Sequence, residues 1–380
     1  MTFFILGSHP ALSLAEITAV LGEKTVVAQT PEVLVLDEVT EDAAVLQERL
    51  GGTVKIGGIL GEMAHWNEEE AADLIASFAR EASGTSKIRF GISAYGLGSD
   101  TRLLGKAVKA RLKETGRSVR FVTSKEPALS SVIVTENDLL ASGGEYVLIQ
   151  TRDTVWIGQT QTVQDFKAWS QRDYGRPSRD AKSGMLPPKL ARMMVNLSGA
   201  DPKGQTLLDP FCGSGTILAE AMLMGFHTLI GSDISQKAID DTKQNLDWLA
   251  KHAHLAESNL SLLVHDVRTL DEVLPEPVDV IVTETYLGKP RTRLLTPRES
   301  EQQSRELVAL LQPAVETLAR LLKSGGVCVM AIPLFKTKNG FKPIGLEPVF
   351  ARASFGVEGS FTYFRQDQIV GRQICVLRKP

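Results

Sequence analysis

Short aliphatic runs and amphipathic segments alternate along the 380 residues of this chain. Runs rich in Val, Ile and Leu that are bounded by Gly, Pro or Asp indicate strands, and apolar residues at helical spacing indicate helices. From residue 188 onward the two patterns follow each other regularly, which predicts a parallel sheet with helices on both faces. The chain closes on strand patterns at residues 360–365 and 373–377, which predict an antiparallel pair at the end of that sheet.

The preceding residues predict two smaller α/β units. The pattern in residues 1–60 is typical of a ferredoxin-like unit, and the spacing of Ser13 and Glu16 predicts a capping box that opens its first helix at Ser13. Residues 61–165 form the second unit. The strands predicted for both units lie at 1–6, 33–36, 54–60, 88–94, 120–123, 131–134, 146–151 and 155–162, and the helices at 41–50, 67–82 and 102–114.

The stretch 207–216 (L-L-D-P-F-C-G-S-G-T) is the most informative part of the chain. Two aliphatic residues, an Asp-Pro pair and two glycines precede a helical segment, so they predict a buried strand, a tight turn and a helix that faces a cleft. Gly213 and Gly215 lack Cβ atoms, and a ligand can therefore lie against their backbone. The next strand pattern ends on Asp233, where a carboxylate can accept hydrogen bonds from ribose hydroxyls.

Two other nucleotide motifs do not fit these residues. A dinucleotide fingerprint needs a third glycine three positions after the second, and that position is Leu218. A phosphate-binding P-loop needs a lysine after its last glycine, but Thr216 and Ile217 follow Gly215. Two interpretations of the glycine turn remain: it binds a different cofactor, or it is a tight turn without a ligand.

The composition of the chain predicts its cellular compartment. The chain is 43% hydrophobic and 23% charged, as in ordinary soluble proteins. No apolar run approaches the roughly 18–20 residues of a membrane span, and the N-terminus has no basic segment of a signal peptide. Three widely spaced cysteines predict neither a disulfide framework nor a zinc site, and His252 and His254 stand alone. We therefore predict a cytoplasmic protein without a metal centre.

The charge is unevenly distributed along the chain. Residues 1–85 carry 4 basic and 14 acidic side chains, whereas residues 86–192 carry 18 basic and 10 acidic ones. A basic central region suggests a polyanion-binding surface, with ordinary solvated helix faces as the alternative. Three lysines share one face of the helix predicted at 102–114, and the segment 166–187 interleaves cations with Phe166, Trp169 and Tyr174. The candidate RNA-binding residues are Lys106, Lys109, Lys113, Arg172, Arg176, Arg179 and Lys182.

These motifs together resemble one family. D-P-F-C-G-S-G-T at 209–216 resembles the S-adenosylmethionine motif of class I methyltransferases, in the form typical of enzymes that methylate amino groups. Residues 61–165 resemble a THUMP RNA-binding domain, and the segment from Arg172 to Leu197 is similar to the one that precedes the cofactor motif in tRNA guanine-N2 methyltransferases. The whole chain therefore resembles the archaeal and eukaryotic tRNA (guanine-N2) methyltransferases.

The resemblance implies an α/β architecture and a division of the chain. A ferredoxin-like unit (1–60) and a THUMP domain (61–165) would be followed by a basic linker (166–187) and a Rossmann-like class I methyltransferase domain (188–380). In that domain Asp233 would hold the ribose, and Asp266 and Val267 would contact the adenine. The residues implied at the cofactor are Asp209, Pro210, Phe211, Cys212, Gly213, Ser214, Gly215, Thr216, Asp233, Ile234, Asp266 and Val267.

The catalytic motif departs from the family pattern. Where the family has Asp or Asn followed by Pro-Pro-Tyr, this chain has Thr283-Glu284-Thr285-Tyr286. The resemblance then implies that Glu284 accepts the protons of the target amine and that Tyr286 stacks on a flipped base, with Thr283 in the same motif. The alternative is that Glu284 caps a loop and catalysis has been lost. Arg291 and Arg293 in the next loop are predicted to steer phosphates, or to be merely solvated.

We therefore predict an S-adenosylmethionine-dependent RNA methyltransferase that acts on the exocyclic N2 amine of a guanine in tRNA. One alternative is methylation of an amino group in DNA or ribosomal RNA. Another is a non-catalytic or partner-dependent RNA-binding protein that keeps the cofactor pocket. The methylated nucleotide, the number of methyl groups, an activating protein subunit and the oligomeric state stay open at this point.

Overall fold

The computed structural model describes residues 1–82, 87–98, 100–179, 185–255, 258–289, 293–365 and 368–380. It contains two compact units, each with its own eight-stranded sheet. The first unit comprises Met1–Leu14 and Leu21–Lys167, and the second comprises Ala15–Val20 and Ala168–Pro380. The α/β class predicted from the sequence is confirmed.

The first sheet has the strand order β2-β3-β1-β4-β8-β7-β5-β6, and its neighbours are antiparallel except for β5 with β6 and β5 with β7. The elements of residues 1–165 are, in chain order, β1 (Thr2–Leu6), α1 (Pro10–Leu21), β2 (Val26–Gln29), β3 (Val33–Leu36), α2 (Ala43–Arg49), β4 (Thr53–Met63), α3 (Glu68–Ala82), β5 (Ile88–Tyr95), α4 (Thr101–Lys113), β6 (Val119–Val122), α5 (Ser131–Glu136), β7 (Gly144–Gln150) and β8 (Val155–Val163).

Strand β4 joins the two units predicted at 1–60 and 61–165. It pairs with β1 on one side and with β8 on the other, and the predicted boundary at residue 60 falls inside it. Residues on both sides of that boundary therefore belong to one continuous sheet.

The start of α1 differs from the prediction. The helix begins at Pro10, because a proline at the first position loses no helical hydrogen bond and already has the required φ. Ser13 therefore does not cap the helix. It is buried, and its hydroxyl donates to the carbonyl of Gly52 at 2.8 Å.

Residues 131–134 were predicted as a strand and instead open helix α5. The β-branched run Val132-Ile133-Val134 favours a strand by propensity alone. Ser130 overrides this preference, because its hydroxyl accepts a hydrogen bond from the amide of Ile133 and caps the helix. Val134 is then fully buried against its neighbours.

The second sheet has the order β11-β10-β9-β12-β13-β16-β15, with β14 paired to the end of β13. The elements of residues 166–380 are α6 (Phe166–Tyr174), α7 (Pro188–Leu197), β9 (Thr206–Asp209), α8 (Thr216–Leu223), β10 (Thr228–Asp233), α9 (Gln236–Ala253), β11 (Asn259–Val264), a 3-10 helix (Val267–Glu272), β12 (Val278–Glu284), α10 (Pro297–Leu321), β13 (Leu322–Thr337), β14 (Gly340–Pro343), α11 (Glu347–Arg352), β15 (Gly356–Tyr363) and β16 (Val370–Arg378).

The direction of the strands places the candidate site. Strands β9 to β13 are parallel, as the strand patterns predicted, and β16 is antiparallel to both β13 and β15. The pair of β15 and β16 is the antiparallel pair predicted at the end of the chain. Leu207, Leu208 and Ile281 on the central strands are fully buried. The carboxyl ends of β9 to β13 therefore share one edge, called here the carboxyl edge, where ligands bind in open parallel sheets.

The predicted linker at 166–187 is not a plain loop. Its first half is the helix α6, and the second compact unit already begins at Ala168 rather than at residue 188. Lys182 lies outside the described residues.

Candidate cofactor and catalytic site

The turn after β9 is shaped by two glycines with different functions. Gly215 has a φ of +80°, and a Cβ there would lie 2.9 Å from Thr242 Cγ2, so Gly215 permits close packing on α9. Gly213 has a φ of +53°, but its nearest neighbour would be the Phe211 carbonyl oxygen at 4.0 Å. The space above Gly213 is therefore open, as a cradle for a ligand requires.

Hydrogen bonds from neighbouring elements hold this turn in place. The Cys212 amide donates to the Ser232 carbonyl at 2.9 Å, the Thr242 hydroxyl to the Gly213 carbonyl at 2.8 Å, and the Asn245 amide group to the Ser214 carbonyl at 2.8 Å. The Cys212 side chain is buried, and this burial raises the pKa of its thiol far above the usual range. The turn is therefore organised by β10 and α9 without any help from a ligand.

Asp233 and Ile234 follow at the end of β10. The Asp233 carboxylate accepts hydrogen bonds from the amides of Gly213 at 3.1 Å and Ser235 at 2.9 Å. It therefore lies directly beside the glycine turn. Ile234 is 71% exposed, so its side chain is accessible for packing against a planar ring.

Asp266 and Val267 lie one strand further along the edge, after β11. The Asp266 carboxylate forms hydrogen bonds with the guanidinium of Arg268, at 3.0 Å from its Nε, and these bonds lower the pKa of Asp266. Val267 is buried beside it. An adenine amine would therefore meet a carboxylate whose position is fixed by Arg268.

Asp209 is buried beneath the turn rather than exposed in the cleft. Its carboxylate accepts hydrogen bonds from the Thr283 hydroxyl at 2.8 Å and the Phe211 amide at 3.3 Å. Burial raises the pKa of Asp209 to about 7, and the nearby carboxylates of Asp233 and Glu284 act in the same direction. Thr283 itself is fully buried, so its predicted place in the catalytic motif is corrected to a support for Asp209.

Glu284 ends β12 at the carboxyl edge and is 16% exposed. Its Oε1 accepts a hydrogen bond from Nε of Arg372 on β16, which is only 3% exposed. Burial raises the pKa of Glu284, and the Arg372 charge opposes that shift. Tyr286 is 47% exposed two residues further on, which leaves its ring accessible for stacking. Arg372 was missed in the sequence because 88 residues separate the two partners.

Two of the predicted RNA-binding arginines have internal partners. Arg172 Nε donates to Glu220 Oε1 at 2.8 Å, and its guanidinium lies 4.0 Å from the centre of the Trp169 ring. Arg176 is buried and donates to the Thr216 hydroxyl at 2.6 Å. A phosphate cannot reach a buried guanidinium, so the RNA contact predicted for Arg176 is corrected to a contact with the first residue of α8.

The remaining predicted cations of this unit differ in exposure. Arg179 is exposed and lies 5.1 Å from the centre of the Tyr174 ring. Arg293 is exposed but forms an ion pair with Glu299 at 2.6 Å, and Glu299 completes the capping box of α10 with Thr296. Arg291 lies outside the described residues.

The predicted lysine face belongs to α4 in the first unit. Lys106 and Lys113 are exposed and Lys109 is half-buried. Arg111 on the same helix differs from them, because it forms ion pairs with Glu69 and Asp73 of α3, both at 2.5 Å. The three lysines therefore keep the accessibility that a polyanion contact requires.

The described residues contain no group of three or more His, Cys, Asp or Glu side chains that could hold a metal ion. Among the same residues, no helix has both the length and the apolar character needed to cross a membrane.

The strand order, the antiparallel end of the sheet and the glycine turn beside an acidic residue define a class I methyltransferase domain. Residues 176–337 match the model of the UPF0020 family, described as an RMKL-like methyltransferase domain. This segment is similar to the methyltransferase domains of that family. This match confirms the predicted methyltransferase class. It also confirms S-adenosylmethionine as the cofactor that such enzymes use.

Relatives match far more of the chain than this domain. The tRNA (guanine(10)-N2)-dimethyltransferase of Methanothermobacter thermautotrophicus is 29% identical over 344 residues, which are 88% of each chain. The enzyme of the same name from Methanocaldococcus jannaschii is 30% identical over 230 residues, 58% of this chain and 55% of its own. The family resemblance inferred from the sequence motifs is thereby confirmed.

Solved structures share the fold along the whole chain. TrmN from Thermus thermophilus covers 100% of both chains with a TM-score of 0.58 and 18% identity. The putative methyltransferase SMU.472, solved with S-adenosylhomocysteine, covers 100% of this chain and 98% of its own with a TM-score of 0.55 and 13% identity. At these identities the likeness concerns the fold alone.

Proposed function

We propose that this protein transfers a methyl group from S-adenosylmethionine to the exocyclic N2 amine of a guanine in tRNA. One observation carries the proposal: Glu284 brings a carboxylate to the same sheet edge as the glycine turn. The name of the relative from Methanothermobacter thermautotrophicus, which matches this chain over 88% of its length, supports tRNA guanine as the substrate.

The residues at the carboxyl edge fit the three parts of the cofactor. The open space above Gly213 suits the methionine part, the Asp233 carboxylate suits the ribose hydroxyls, and the exposed Ile234 with Asp266 suits the adenine. When bound, S-adenosylmethionine supplies an electrophilic methyl group on a sulfonium. The chain itself has to orient the acceptor and remove its proton.

A guanine N2 amine is a poor nucleophile because its lone pair is delocalised into the ring. A carboxylate that accepts hydrogen bonds from the N–H groups of this amine increases the electron density on the nitrogen and orients its lone pair. Glu284 is the carboxylate in this position, and the accessible ring of Tyr286 is the platform on which the extruded base stacks. Glu284 would thus orient the amine toward the sulfonium methyl group and take up the proton that the amine gives up.

The first unit carries the proposed tRNA contact. The lysines of α4 are spaced along one helix face and remain accessible, as contacts to a phosphate backbone require. We retain residues 61–165 as the THUMP module of the protein, with Arg179 and Arg293 as further phosphate contacts in the second unit. A cytoplasmic location fits a tRNA substrate.

Nucleoside mass spectrometry tests the proposal. Purified protein is incubated with S-adenosylmethionine and unmodified tRNA transcripts, and the digested RNA is searched for N2-methylguanosine. Formation of N2-methylguanosine by the wild type and its loss in Glu284→Gln support the proposal. Another methylated nucleoside would favour a different amino substrate. Cofactor binding without product on any tRNA would favour the non-catalytic or partner-dependent alternative.

A further inference from the structure

We infer that Arg372 is a positioning residue for methyl transfer, which orients the Glu284 carboxylate so that one of its oxygens faces the target amine. This inference rests on the proposed function, because it assigns Arg372 an effect that acts only through Glu284.

The register of three strands brings the two residues to one face of the sheet. Glu284 on β12 lies opposite Ala331 on β13, and Ala331 lies opposite Ile374 on β16. Arg372 precedes Ile374 by two positions, so both point to the same face. Strands are spaced by about 4.8 Å, and two such spacings are within the combined reach of the Arg and Glu side chains.

The residue between them permits this contact. Ala331 is fully buried on β13 and leaves room above it, where a larger side chain would separate the two partners. Pro333, opposite Arg372 on the same strand, also has a short side chain. The sheet therefore provides a passage across β13 for one long cationic side chain.

The hydrogen bond from Arg372 engages only one of the two carboxylate oxygens of Glu284. Arg372 Nε donates to Oε1 of Glu284, and within the described part of the chain no donor is placed on Oε2. Arg372 is almost completely buried, and a buried guanidinium is costly without a carboxylate partner. This cost fixes the rotamer of Glu284, and Oε2 becomes the oxygen available to an amine at the carboxyl edge.

The same contact sets the charge of Glu284. Burial favours the protonated carboxyl group and raises its pKa, whereas the Arg372 charge favours the ionised form. Only the ionised form can accept a proton from the amine. The other charged or titratable groups around the pair are Asp209 of β9, Tyr363 at the end of β15, Arg365 after it, and Asp173 of α6.

The step balances with the residues named. The guanine N2 attacks the methyl carbon, the N–C bond forms and the C–S bond breaks, so that S-adenosylhomocysteine leaves with the electron pair. The nitrogen then carries one proton too many, and this proton passes to Oε2 of Glu284 and on to water. Arg372 takes no part in this transfer of atoms.

The test is a pH profile of kcat at saturating cofactor and tRNA for the wild type, Arg372→Gln, Arg372→Lys, Glu284→Gln and the double variant Arg372→Gln/Glu284→Gln. We expect kcat of Arg372→Gln at neutral pH to fall by roughly 10- to 100-fold, and its acidic limb to move up by about one pH unit or more. Activity should therefore recover at alkaline pH. Arg372→Lys keeps the charge and should move the limb less.

The double variant separates positioning from a purely structural effect. If Arg372 acts through Glu284, the double variant loses no more activity than Glu284→Gln alone. Independent losses that multiply, or an acidic limb that stays in place in both Arg372 variants, overturn the inference. Calorimetric titration with S-adenosylmethionine verifies that each variant is folded, and Arg372→Lys carries the test if Arg372→Gln does not fold.

Arg378→Gln is the matched control. Arg378 lies on the same strand and also pairs with a glutamate, Glu358, but both side chains are exposed and away from the carboxyl edge. Its pH profile should match the wild type. An inactive wild type, or a Glu284→Gln variant with full activity, overturns the proposed function itself rather than the role of Arg372.

Discussion

Two stretches of this chain are both basic in sequence but have different environments. In α6 and the residues after it, Arg172 and Arg176 are bound to residues of α8. In α4, Lys106 and Lys113 remain exposed to solvent. Net charge along the chain predicted an RNA contact for both stretches, but Arg172 and Arg176 of the first are engaged inside the unit, whereas the lysine face of the second stays accessible.

The difference lies in the counter-charges. Glu220 of α8 is buried and binds Arg172 and Arg192, each at 2.8 Å. It therefore neutralises two arginines that a charge count along the sequence would assign to the surface. The acidic residues that bind α4 engage Arg111 and not the lysine face. A charge count along the sequence therefore gives the amount of positive charge but not the fraction that faces solvent.

Removing Glu220 should have the largest effect. Glu220→Ala leaves two guanidinium groups without their buried carboxylate, and we expect the free energy of unfolding to fall by about 3–5 kcal/mol. Denaturant unfolding measures this change. Glu301→Ala on the exposed face of α10 is the control and should stay within about 0.5 kcal/mol. Equal effects of both substitutions would show that the buried network does not stabilise the unit.

Neutralising the lysine face should have the next largest effect, and it should appear in RNA binding instead of stability. We expect Lys106→Gln/Lys109→Gln/Lys113→Gln to weaken tRNA binding by about 10- to 100-fold and to reduce the salt dependence of the binding constant by about 2–3 in logarithmic slope. Fluorescence anisotropy at several salt concentrations gives both values. The triple variant of Lys237, Lys243 and Lys251 on α9 serves as control, and a similar loss there would remove the special role of α4.

Arg172→Gln should have a smaller effect, and only on stability. It removes one ion pair and one contact with the Trp169 ring, which together stabilise the unit by about 1–2 kcal/mol. Thermal unfolding should register this loss while the salt dependence of tRNA binding stays unchanged. A reduced slope in a variant of normal stability would instead assign Arg172 to the RNA surface.

Arg179→Gln should have the smallest effect. Arg179 is exposed, and one phosphate contact corresponds to a change of about 1 in the logarithmic salt slope. Arg293→Gln is its matched comparison, because Arg293 is also exposed but already paired with Glu299. If only Arg179→Gln lowers the slope, the phosphate contact proposed for Arg293 is wrong, and exposure without an ion pair is the feature that distinguishes RNA contacts in this unit.

Local patterns allowed most of the second unit to be predicted. The strand β9, the glycine turn and the helix α8 lie within 18 consecutive residues, from Thr206 to Leu223, and each has a recognisable local sequence pattern. The antiparallel order of β15 and β16 also followed from the final pair of apolar runs. The extended β13, with β14 and α11 after it, was not predicted, because its length depends on pairing with β16.

Contacts between distant residues were not predictable. The Arg372–Glu284 pair depends on the register of β12, β13 and β16, and a shift of one residue would turn Arg372 to the other face. Thr283 was assigned to catalysis by its place in a motif, but strand alternation turns it toward Asp209. In both cases the sequence shows which side chains are present but does not show on which face of the sheet they lie.

The buried thiol of Cys212 has a consequence for an enzyme that handles an alkylating reagent. Sulfur is a better nucleophile than an aromatic amine, and a thiolate in the glycine turn would be methylated in place of the substrate. Because burial keeps Cys212 protonated, the turn protects itself from the reagent that it binds. The same protonation should make Cys212 slow to react with iodoacetamide in the folded protein.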